Sequence, residues 1–528
     1  MPPWSSLVLA LYAALLGALS LYGAHRWVIT WHYLRRRGPT PPPPPLPADL
    51  PRVTVQLPLY NERNVVERLL NAACALDWPR DRLQIQVLDD STDDTTAVAQ
   101  ALTEAHRARG VDITLLRRPD RVGYKAGALE AGLATATGTY VAIFDADFLP
   151  QPEFLRQTVP WLEADPGVGL VQARWGYVNE ASGLLPRLES VLLDGHFVIE
   201  HTARNRAGLF FNFNGTAGVW RRTCIADAGG WQHDTVTEDL DLSYRAQLRG
   251  WRFVYLPDLV VPSELPADHL AFKNQQHRWA KGSIQTARKL LGPILRSDQP
   301  WAVKAEATIH LTVNAAYVGV LSLTVLLPLA VLARPAQAPA WVHGLDLAVF
   351  VLTFVSMVRF YGLAVRDAGP GWRGRLWHLP MVFALGMGMA LNQARGVWEG
   401  WTAADATFVR TPKSGAVGAE RRARVRSYAA QGGLWVLGEL ILAVWSASAL
   451  VACLWVGRLG SAPWMALFAV GFAYVGVGSL VSQRARQRLA ELQDGLLRTQ
   501  PASRRSARSA GRGWLWRCLV KRGANPPS

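Results

Sequence analysis

The sequence predicts an α/β domain with a mostly parallel mixed sheet, joined to an α-helical transmembrane region. Two observations indicate this combination within the 528 residues. Between about 50 and 265, short runs rich in β-branched and aromatic residues alternate with helix-like runs, as in βαβ units. Elsewhere, several stretches are almost free of charged residues and are long enough to cross a bilayer. The chain therefore contains a globular domain of ordinary size and a membrane part.

Strand and helix signals follow one another in order through the globular segment. The predicted strands are 53–57, 83–88, 113–116, 140–144 and 168–172, and the predicted helices between them are 62–76 and 95–108. Strands that alternate with helices form a mostly parallel sheet with helices on both faces. In such a sheet, ligands bind beyond the carboxyl ends of the strands.

Five apolar segments predict membrane-spanning helices, at 5–24, 311–333, 341–365, 433–456 and 462–481. Basic residues follow the first segment rather than precede it, which argues against a cleaved signal peptide and places the N-terminus outside. A further segment at 379–391 has a short apolar core that contains Gly386 and Gly388. If it crossed the membrane, the basic clusters after it would lie outside, against their preference for the cytoplasm. We therefore expect an interfacial or re-entrant helix there.

These signals divide the chain into consecutive parts. Residues 1–30 form an N-terminal transmembrane helix, 31–50 a proline-rich cytoplasmic linker, 51–265 the cytoplasmic α/β domain, 266–300 interfacial helices, 301–482 a region with the remaining spans and an interfacial helix near 379–400, and 483–528 a basic cytoplasmic tail. The expected location is the plasma membrane, or the inner membrane of a bacterium, as a multi-pass protein.

Composition excludes several other classes of protein. The net charge of +16 fits the basic cytoplasmic loops of a membrane protein, and no zinc-finger or RRM signature indicates nucleic-acid binding. The four cysteines lack CxxC spacing, so we expect neither a disulfide framework nor a cysteine metal site. Asp346, Arg359 and Glu439 lie towards the ends of apolar segments. We favour side chains that reach the interface there over side chains that line a polar passage.

Acidic clusters follow two of the predicted strands. Asp89 and Asp90 come after the second strand, where a ligand-binding carboxylate and a capped helix start are equally good interpretations. Asp145 and Asp147 come after the fourth. Two carboxylates separated by one residue at a strand exit suit a hard divalent ion that also binds phosphate oxygens. The sequence thus predicts a site for a divalent ion and a phosphorylated ligand.

Three further motifs have both a functional and a structural interpretation. Lys125 lies in a glycine-rich turn that either binds a diphosphate through its amides and cation or is a simple turn. Asp239 lies at a predicted helix start, either as a candidate general base or as part of a plain capped helix start with Thr237 as the N-cap. Gln275, Arg278 and Trp279 precede the first long apolar segment after the domain, and Arg and Trp favour membrane interfaces by themselves.

Together these motifs resemble the D, DxD, TED and QxxRW series of processive family 2 glycosyltransferases, the cellulose-synthase-like superfamily. The matching residues are Asp89-Asp90, Asp145-Ala146-Asp147, Thr237-Glu238-Asp239 and Gln275 with Arg278-Trp279. Between them, the segments PLYNE (58–62), GYKAGA (123–128) and FNGTAG (213–218) look most like the cellulose-synthase-like A branch, the mannan and glucomannan synthases, and its bacterial relatives. The resemblance covers about residues 50–295, and residues 408–413 add a match to the family's gating loop.

The resemblance implies a GT-A fold and a role for each matching residue. The residues that would bind the nucleotide sugar are Tyr60, Glu62, Asp89, Lys125, Asp145, Gln275 and Arg278. Asp145 and Asp147 would hold a divalent metal ion, Mg²⁺ or Mn²⁺, together with the diphosphate. Asp239 would be the catalytic base, and Trp279 would stack on the acceptor sugar. The residues of the gating loop would be Phe408, Thr411 and Lys413.

The expected activity is transfer of a hexose with inversion, from GDP-mannose, UDP-glucose or both, to a growing β-linked polysaccharide that is exported through the membrane. β-1,4-Mannan, glucomannan and glucan all fit as products. The partners would be the nucleotide sugar, a glycan acceptor and the lipid bilayer, and an accessory export protein is left open. An alternative is a single addition to a lipid acceptor, which can share these motifs. A scaffold with an inactive domain is disfavoured because every catalytic carboxylate is present.

Overall fold

The computed structural model describes residues 3–334, 340–403, 413, 415 and 433–499. Within this part of the chain, seven strands form one sheet in the order β3-β2-β1-β4-β6-β5-β7. The strands are β1 (Val53–Leu59), β2 (Leu83–Asp89), β3 (Ile113–Leu116), β4 (Tyr140–Ile143), β5 (Val168–Tyr177), β6 (Gly218–Arg221) and β7 (Arg252–Ser263). The pairs β1–β2, β1–β4, β2–β3 and β5–β7 are parallel, and β6 is antiparallel to both its neighbours. The predicted mostly parallel mixed sheet is confirmed.

Strands β1 to β5 begin at the predicted residues, but β5 continues to Tyr177, beyond its predicted end. β6 and β7 have no counterpart in the prediction. β6 has only four residues, and β7 contains Pro257 and Pro262, a residue type that is rare inside sheets. Both strands therefore lack the sequence pattern that would identify them.

Both faces of the sheet carry an apolar core. In β4, Tyr140 and Ala142 join the core on one face, while Val141 and Ile143 join the core on the other, because successive side chains of a strand point to opposite faces. The helices in this part of the chain are α1 (Pro3–Arg36), α2 (Val66–Cys74), α3 (Thr95–Ala108), α4 (Tyr124–Leu133), α5 (Phe154–Ala164), α6 (Leu184–Asp194), α7 (Thr202–Arg206), α8 (Arg222–Asp227) and α9 (Glu238–Leu248).

Helix α3 has its predicted bounds, but α2 begins at Val66, four residues after the predicted start. Asn61 has a positive φ of 59°, and its backbone N–H donates to the Ser91 hydroxyl over 2.8 Å. The carbonyl of Glu62 then accepts from the N–H groups of Val65 and Val66 in a turn. Glu62 therefore lies in a turn at the edge of the sheet instead of in a helix.

Beyond the sheet, the chain is helical. These helices are α10 (His269–Arg296), α11 (Trp301–Thr312), α12 (Ala316–Ala333), α13 (Ala340–Ala368), α14 (Trp372–Leu376), α15 (Leu379–Gly388), α16 (Ala390–Thr402), α17 (Trp435–Trp455) and α18 (Ala462–Thr499). The sequence predicted several interfacial helices between 266 and 300, but most of that range is the single helix α10.

Five helical stretches within the described ranges are long and apolar enough to cross a membrane. They are Trp4–Arg36, Trp301–Ala333, Asp346–Ala368, Trp435–Trp455 and Ala462–Arg488, and they fall at the five predicted segments. α15 has only ten residues, about 15 Å at 1.5 Å per residue, which is roughly half the hydrocarbon thickness of a bilayer. That this segment does not cross a membrane stays a prediction.

Two of the charged side chains in these segments are buried, so the expectation that they reach the interface is wrong. Asp346 is fully buried and accepts from Arg334 over 2.7 and 2.8 Å. Glu439 is also fully buried and forms an ion pair with Lys273 of α10. The third, Arg359, is exposed and lies over the ring of Trp27, 4.9 Å from its centre. A buried charge is tolerated only with a partner, and both acidic residues have one.

Helices α15 and α18 touch through their backbones. A Cβ atom added to Gly388 would overlap the carbonyl of Gly471, and one added to Gly471 would overlap the carbonyl of Ala384. In contrast, a Cβ atom added to Gly386, two residues away on α15, would meet no atom within 4 Å. The close approach of the two helices therefore depends on Gly388 and Gly471.

We expect Gly388→Ala to destabilise the protein by about 1–3 kcal/mol, because the added methyl group forces the two helices apart. Gly386→Ala is the matched control. It should be neutral or stabilising by up to about 1 kcal/mol, since alanine favours a helix over glycine. The thermal unfolding midpoint of the purified protein measures both effects. Equal midpoints for the two variants would show that the backbones are not in contact.

Candidate active site

A large cavity lies at the carboxyl edge of the sheet, where the first half of α10 covers it. Every predicted site residue within the described ranges lines this cavity, except Asp89. The lining residues among those predicted are Tyr60, Glu62, Lys125, Asp145, Asp147, Asp239, Gln275, Arg278, Trp279 and Lys413. Two of the predicted gating-loop residues, Phe408 and Thr411, lie outside the described residues.

The structure places Asp89 behind the cavity wall and Asp90 on it. Asp89 is 1% exposed, and its oxygens accept from the backbone N–H of Ser91 (3.0 Å) and the hydroxyl of Thr96 (2.6 Å). Asp90 lines the cavity and forms a bidentate ion pair with Arg118, at 2.5 and 3.1 Å. Neighbouring residues at a strand end point in opposite directions, so only one of the two faces a ligand.

Lys125 forms an ion pair at the centre of the cavity. Its Nζ donates to Asp145 Oδ1 over 2.5 Å and to the carbonyl oxygen of Gly215 over 2.8 Å. Burial alone would lower the pKa of Lys125, but the carboxylates of Asp145, Glu238 and Asp239 outweigh it and raise the pKa above its usual value. The lysine therefore stays charged and can hold anionic groups.

Asp239 has the properties of a general base near neutral pH. Burial and, after it, the neighbouring Glu238 raise the pKa of its carboxyl group to about 7, against the lowering effect of Lys125. A base whose pKa lies near the working pH is effective, because it is both substantially ionised and able to hold a proton. Thr237, before the first residue of α9, makes no side-chain hydrogen bond that caps this helix. The interpretation of the motif as a plain helix cap therefore lacks its main contact.

Helix α10 presents three residues to the cavity from one face. Gln275, Arg278 and Trp279 are three and four residues apart, a spacing that aligns side chains on a helix. The helix is held against the segment before α9, because Gln285 accepts from the backbone N–H of Val236 over 3.0 Å. A Cβ atom added to Gly282 would overlap the side chain of Thr237. Glycine at that position is thus what allows α10 to close the cavity.

Burial and the neighbouring carboxylates shift the pKa of Arg278 in opposite directions. Burial lowers the pKa of its guanidinium group, while Glu238, Asp239 and Asp145 raise it. An arginine remains charged under such a shift, since its ordinary pKa is above 12. The side chain therefore adds a second positive charge to the cavity.

Lys413 reaches the cavity from a distant part of the sequence. Its Nζ lies 2.9 Å from Asp147 Oδ2 and donates to the carbonyl oxygen of Glu264 over 3.2 Å. The same Asp147 oxygen accepts from the backbone N–H of Glu264 over 3.1 Å. Gly415 donates its backbone N–H to the Glu264 carboxylate over 2.9 Å. These contacts hold the end of the predicted gating loop on the cavity wall.

The residues present fit a divalent metal ion that is shared with a phosphorylated ligand. Asp145 and Asp147 bring two carboxylates to one cavity, each beside a lysine that neutralises its charge. Within the described residues, no group of three or more metal-binding side chains occurs. Mg²⁺ commonly binds through one or two carboxylates and takes its other ligands from phosphate oxygens and water. The two carboxylates are therefore sufficient for a metal ion that takes its other ligands from phosphate and water. They are too few for a site in which the protein supplies every ligand.

Several cavity residues were not predicted. Arg121 lies 3.3 Å from the centre of the Tyr60 ring, and Asn214 and Gly215 come from the FNGTAG segment, which had been matched without a role. Gly215 has a φ of 81°, and its α-carbon faces both Asp239 and Lys125. Glu189 of α6 also lines the cavity, and no local sequence signal distinguishes it from an ordinary helix residue.

The family comparison matches the segment that builds this site. A family model described as "Glycosyltransferase like family 2" covers residues 51–282. Residues 51–282 are thus similar to glycosyltransferase family 2. This domain has the GT-A fold, and the matched range contains every cavity residue named above except Lys413.

Sequence relatives point to the same family. Glucomannan 4-beta-mannosyltransferase 2 of Arabidopsis thaliana is 44% identical over 303 residues, 56% of this chain and 57% of that protein. Glucomannan 4-beta-mannosyltransferase 1 of Oryza sativa subsp. japonica is 47% identical over 253 residues, 47% of this chain and 49% of that protein. The chain thus spans about half the length of the relatives that it matches.

A solved structure shares the fold of the glycosyltransferase. The mannosyltransferase PcManGT from Pyrobaculum calidifontis, in complex with GDP-Man and Mn²⁺, aligns with a TM-score of 0.54 and 23% sequence identity. The alignment covers 75% of this chain and 99% of that chain. The resemblance extends over the whole of the smaller protein.

We expect Gly215→Ala to reduce glycosyl transfer at least about tenfold. The new Cβ atom would lie 3.0 Å from Asp239 Oδ2 and 3.3 Å from Lys125 Nζ, and small displacements of catalytic groups are costly. Gly208→Ala is the matched control, since Gly208 also has a positive φ, 68°, but open space around it. Both variants should lose about 1–2 kcal/mol of stability from backbone strain. A similar loss of transfer in both would assign the effect to strain instead of contact.

Proposed function

We propose that the protein is a membrane-embedded, inverting hexosyltransferase that extends a β-1,4-linked mannan, glucomannan or glucan, with GDP-mannose, UDP-glucose or both as donors. The names of the two plant relatives support mannose as a donor sugar. The observation that carries the proposal is the meeting of Asp239, the Lys125–Asp145 pair and the cavity face of α10. A base, a diphosphate site and a platform for a sugar thus lie in one cavity.

Asp239 activates the acceptor. Its carboxylate accepts the proton of the acceptor hydroxyl while that oxygen attacks the anomeric carbon of the donor. The bond from the anomeric carbon to the diphosphate oxygen breaks on the opposite side, so the configuration inverts in a single displacement. Because the leaving group is a nucleoside diphosphate, no protein acid is needed to protonate it.

Cationic groups balance the charge of the leaving diphosphate. Lys125 and Arg278 line the same cavity as Asp239, and preorganised positive charge of this kind stabilises the transition state. Asp145 and Asp147 would hold Mg²⁺ or Mn²⁺, which supplies Lewis-acid stabilisation of the departing phosphates.

The nucleotide binds at the end of the cavity formed by β1 and the turn before α4. Tyr60, Glu62, Asp90 and Arg121 line this end. The guanidinium group of Arg121 already lies over the Tyr60 ring, an arrangement that suits a planar base. Asp89 supports this end from behind, through its hydrogen bonds to the turn after β2.

The acceptor lies against α10. Trp279 offers an indole face, on which the apolar face of a sugar can stack, and Gln275 is placed one helical turn away. Stacking tolerates sliding of the sugar, because it lacks directional hydrogen bonds. This property suits an enzyme that repeatedly advances a polymer.

Contacts of α10 with the apolar helices support export beside the active site. Lys273, six residues before Trp279, forms a buried ion pair with Glu439 of α17. On α16, Cβ atoms added to Gly396 and Gly400 would lie 2.9 and 2.6 Å from carbonyl oxygens of α10. In this proposal the five long apolar helices cross the plasma membrane, the glycosyltransferase domain is cytoplasmic, and the 408–413 segment gates the cavity.

Donor screening tests the proposal. We expect the purified full-length protein to release GDP from GDP-mannose in the presence of Mg²⁺ or Mn²⁺ and to form a long β-1,4-linked glycan. Asp239→Asn should lower the rate about 10²–10⁴-fold, the usual contribution of a general base, while binding of GDP is retained.

The product distinguishes the alternatives. A lipid that carries a single sugar would support the single-addition transferase and exclude the polymerase. A normal rate for Asp239→Asn would exclude this residue as the base. Product size and linkage analysis give the first answer, and the rate of GDP release in the same reactions gives the second.

The raised pKa of Asp239 predicts loss of activity in mild acid. The base works only when ionised, so kcat/KM should fall about tenfold per pH unit below a midpoint near pH 7. Glu238 contributes to the upward shift, so Glu238→Gln should move the midpoint to lower pH. A pH–rate profile of both proteins checks the direction. An unchanged midpoint in Glu238→Gln would show that another group controls the acid limb.

A further inference from the structure

One acidic residue of the cavity has no place in the mechanism above. Glu189 of α6 lines the cavity, yet its side chain is almost completely buried, with 1% exposure. Among the residues that the structure describes, neither of its carboxyl oxygens has a hydrogen-bond partner. Lys413 is the charged group that acts on it, but the Lys413 ammonium group is engaged with Asp147 at 2.9 Å.

Glu189 lies on a helix that shares an apolar cluster with α10, the helix that carries Trp279. Leu193 follows it by one helical turn and lines the same wall. Leu193 belongs to one apolar cluster with Leu265, and both Trp175 and Trp279 pack against that cluster. Leu188 and Val191, on either side of Glu189, belong to a second apolar cluster with Phe272 of α10. Glu189 and Trp279 therefore lie on two helices that share this cluster, and both line the same cavity.

An unpaired polar group in such surroundings destabilises the folded protein. Natural proteins tolerate this cost where a ligand supplies the partner, and buried polar groups without one are few. Burial also raises the pKa of the Glu189 carboxyl group to about 8, although Lys413 opposes the shift. Near neutral pH the group is thus largely uncharged, and it can donate one hydrogen bond and accept others.

We propose that Glu189 binds the acceptor glycan, through hydrogen bonds from its carboxyl group to hydroxyl groups of the sugar that stacks on Trp279. The proposal rests on the proposed function, since it assumes a glycan at this wall. A sugar hydroxyl group can both donate and accept a hydrogen bond. Sugar hydroxyl groups can therefore supply the hydrogen-bond partners that both oxygens of a neutral Glu189 carboxyl group lack. Glu189 and Trp279 then have different roles. The indole covers the apolar face of the sugar, and the carboxyl group fixes the orientation of the sugar on the indole.

Equilibrium binding of β-1,4-mannotetraose to the full-length protein in lipid nanodiscs tests the proposal. Glu189→Leu removes both oxygens at similar volume and should weaken binding about tenfold, as expected for an unsatisfied sugar hydroxyl. Glu189→Gln keeps a donor and an acceptor and should bind within about threefold of the native protein. Glu67→Gln, at an exposed carboxylate in the first turn of α2, is the control and should not differ.

Two further measurements separate a sugar contact from a structural role. GDP binding and the thermal unfolding midpoint should be unchanged in Glu189→Leu, or the midpoint should rise, because the unpaired polar group is removed. In transfer assays the KM for the tetraose should rise while hydrolysis of GDP-mannose without acceptor stays the same. A parallel loss of GDP binding would overturn the proposal in favour of a structural role.

The outcomes also distinguish this proposal from the proposed function. Unchanged tetraose binding in Glu189→Leu, or no binding by the native protein, would overturn the role of Glu189. A native protein that binds the tetraose but transfers no sugar from GDP-mannose or UDP-glucose would overturn the proposed function and leave the binding role of Glu189 in place.

Discussion

The balance of charge inside the cavity is the constraint on which the site depends. Asp145, Glu238 and Asp239 act on the same two cations, Lys125 and Arg278. Acidic groups gathered in one buried place repel each other, and the cations make the arrangement tolerable. Burial and Glu238, opposed by Lys125, leave Asp239 with a pKa of about 7, so this carboxyl group can exchange a proton near neutral pH. The same set of charged groups thus makes the buried carboxylates tolerable and affects the proton exchange of Asp239.

Helix α10 connects this arrangement to the apolar helices. It reaches the segment before α9 because Gly282 has no side chain, and it reaches α16 at Gly396 and Gly400 in the same way. Contacts between backbones allow little rearrangement, since a packed interface has no side chain that can adjust. The residues that line the cavity from α10 are therefore held by both parts of the molecule. Any movement of the apolar helices relative to the sheet would therefore displace Arg278 and Trp279.

The parts of this structure that the sequence could predict are those with local signals. The starts of β1 to β5, both ends of α3 and the acidic residues at strand exits follow from periodicity and spacing. β6 and β7 were not predicted, because β6 is very short and β7 contains prolines. The choice between Asp89 and Asp90 depends on a register of one residue, which alternation alone does not determine.

Long-range contacts were also beyond prediction. The contact of Lys413 with Asp147 joins distant segments, and no local sequence pattern indicates that Glu189 is buried. Likewise, the sequence around an acidic residue in an apolar helix does not show whether its side chain reaches the membrane interface or forms a buried ion pair. Only the packing of the helices brings Arg334 to Asp346 and Lys273 to Glu439.

In the proposed membrane-embedded protein, these two ion pairs have different consequences for how the chain inserts during synthesis. Arg334 and Asp346 are separated by 12 residues, so they can neutralise each other as soon as α12 and α13 emerge as a hairpin. Glu439 has its partner on α10, which belongs to the end of the glycosyltransferase domain. Its charge is therefore neutralised only if α17 inserts beside a domain that is already in place. The second pair thus makes correct insertion of α17 conditional on earlier folding.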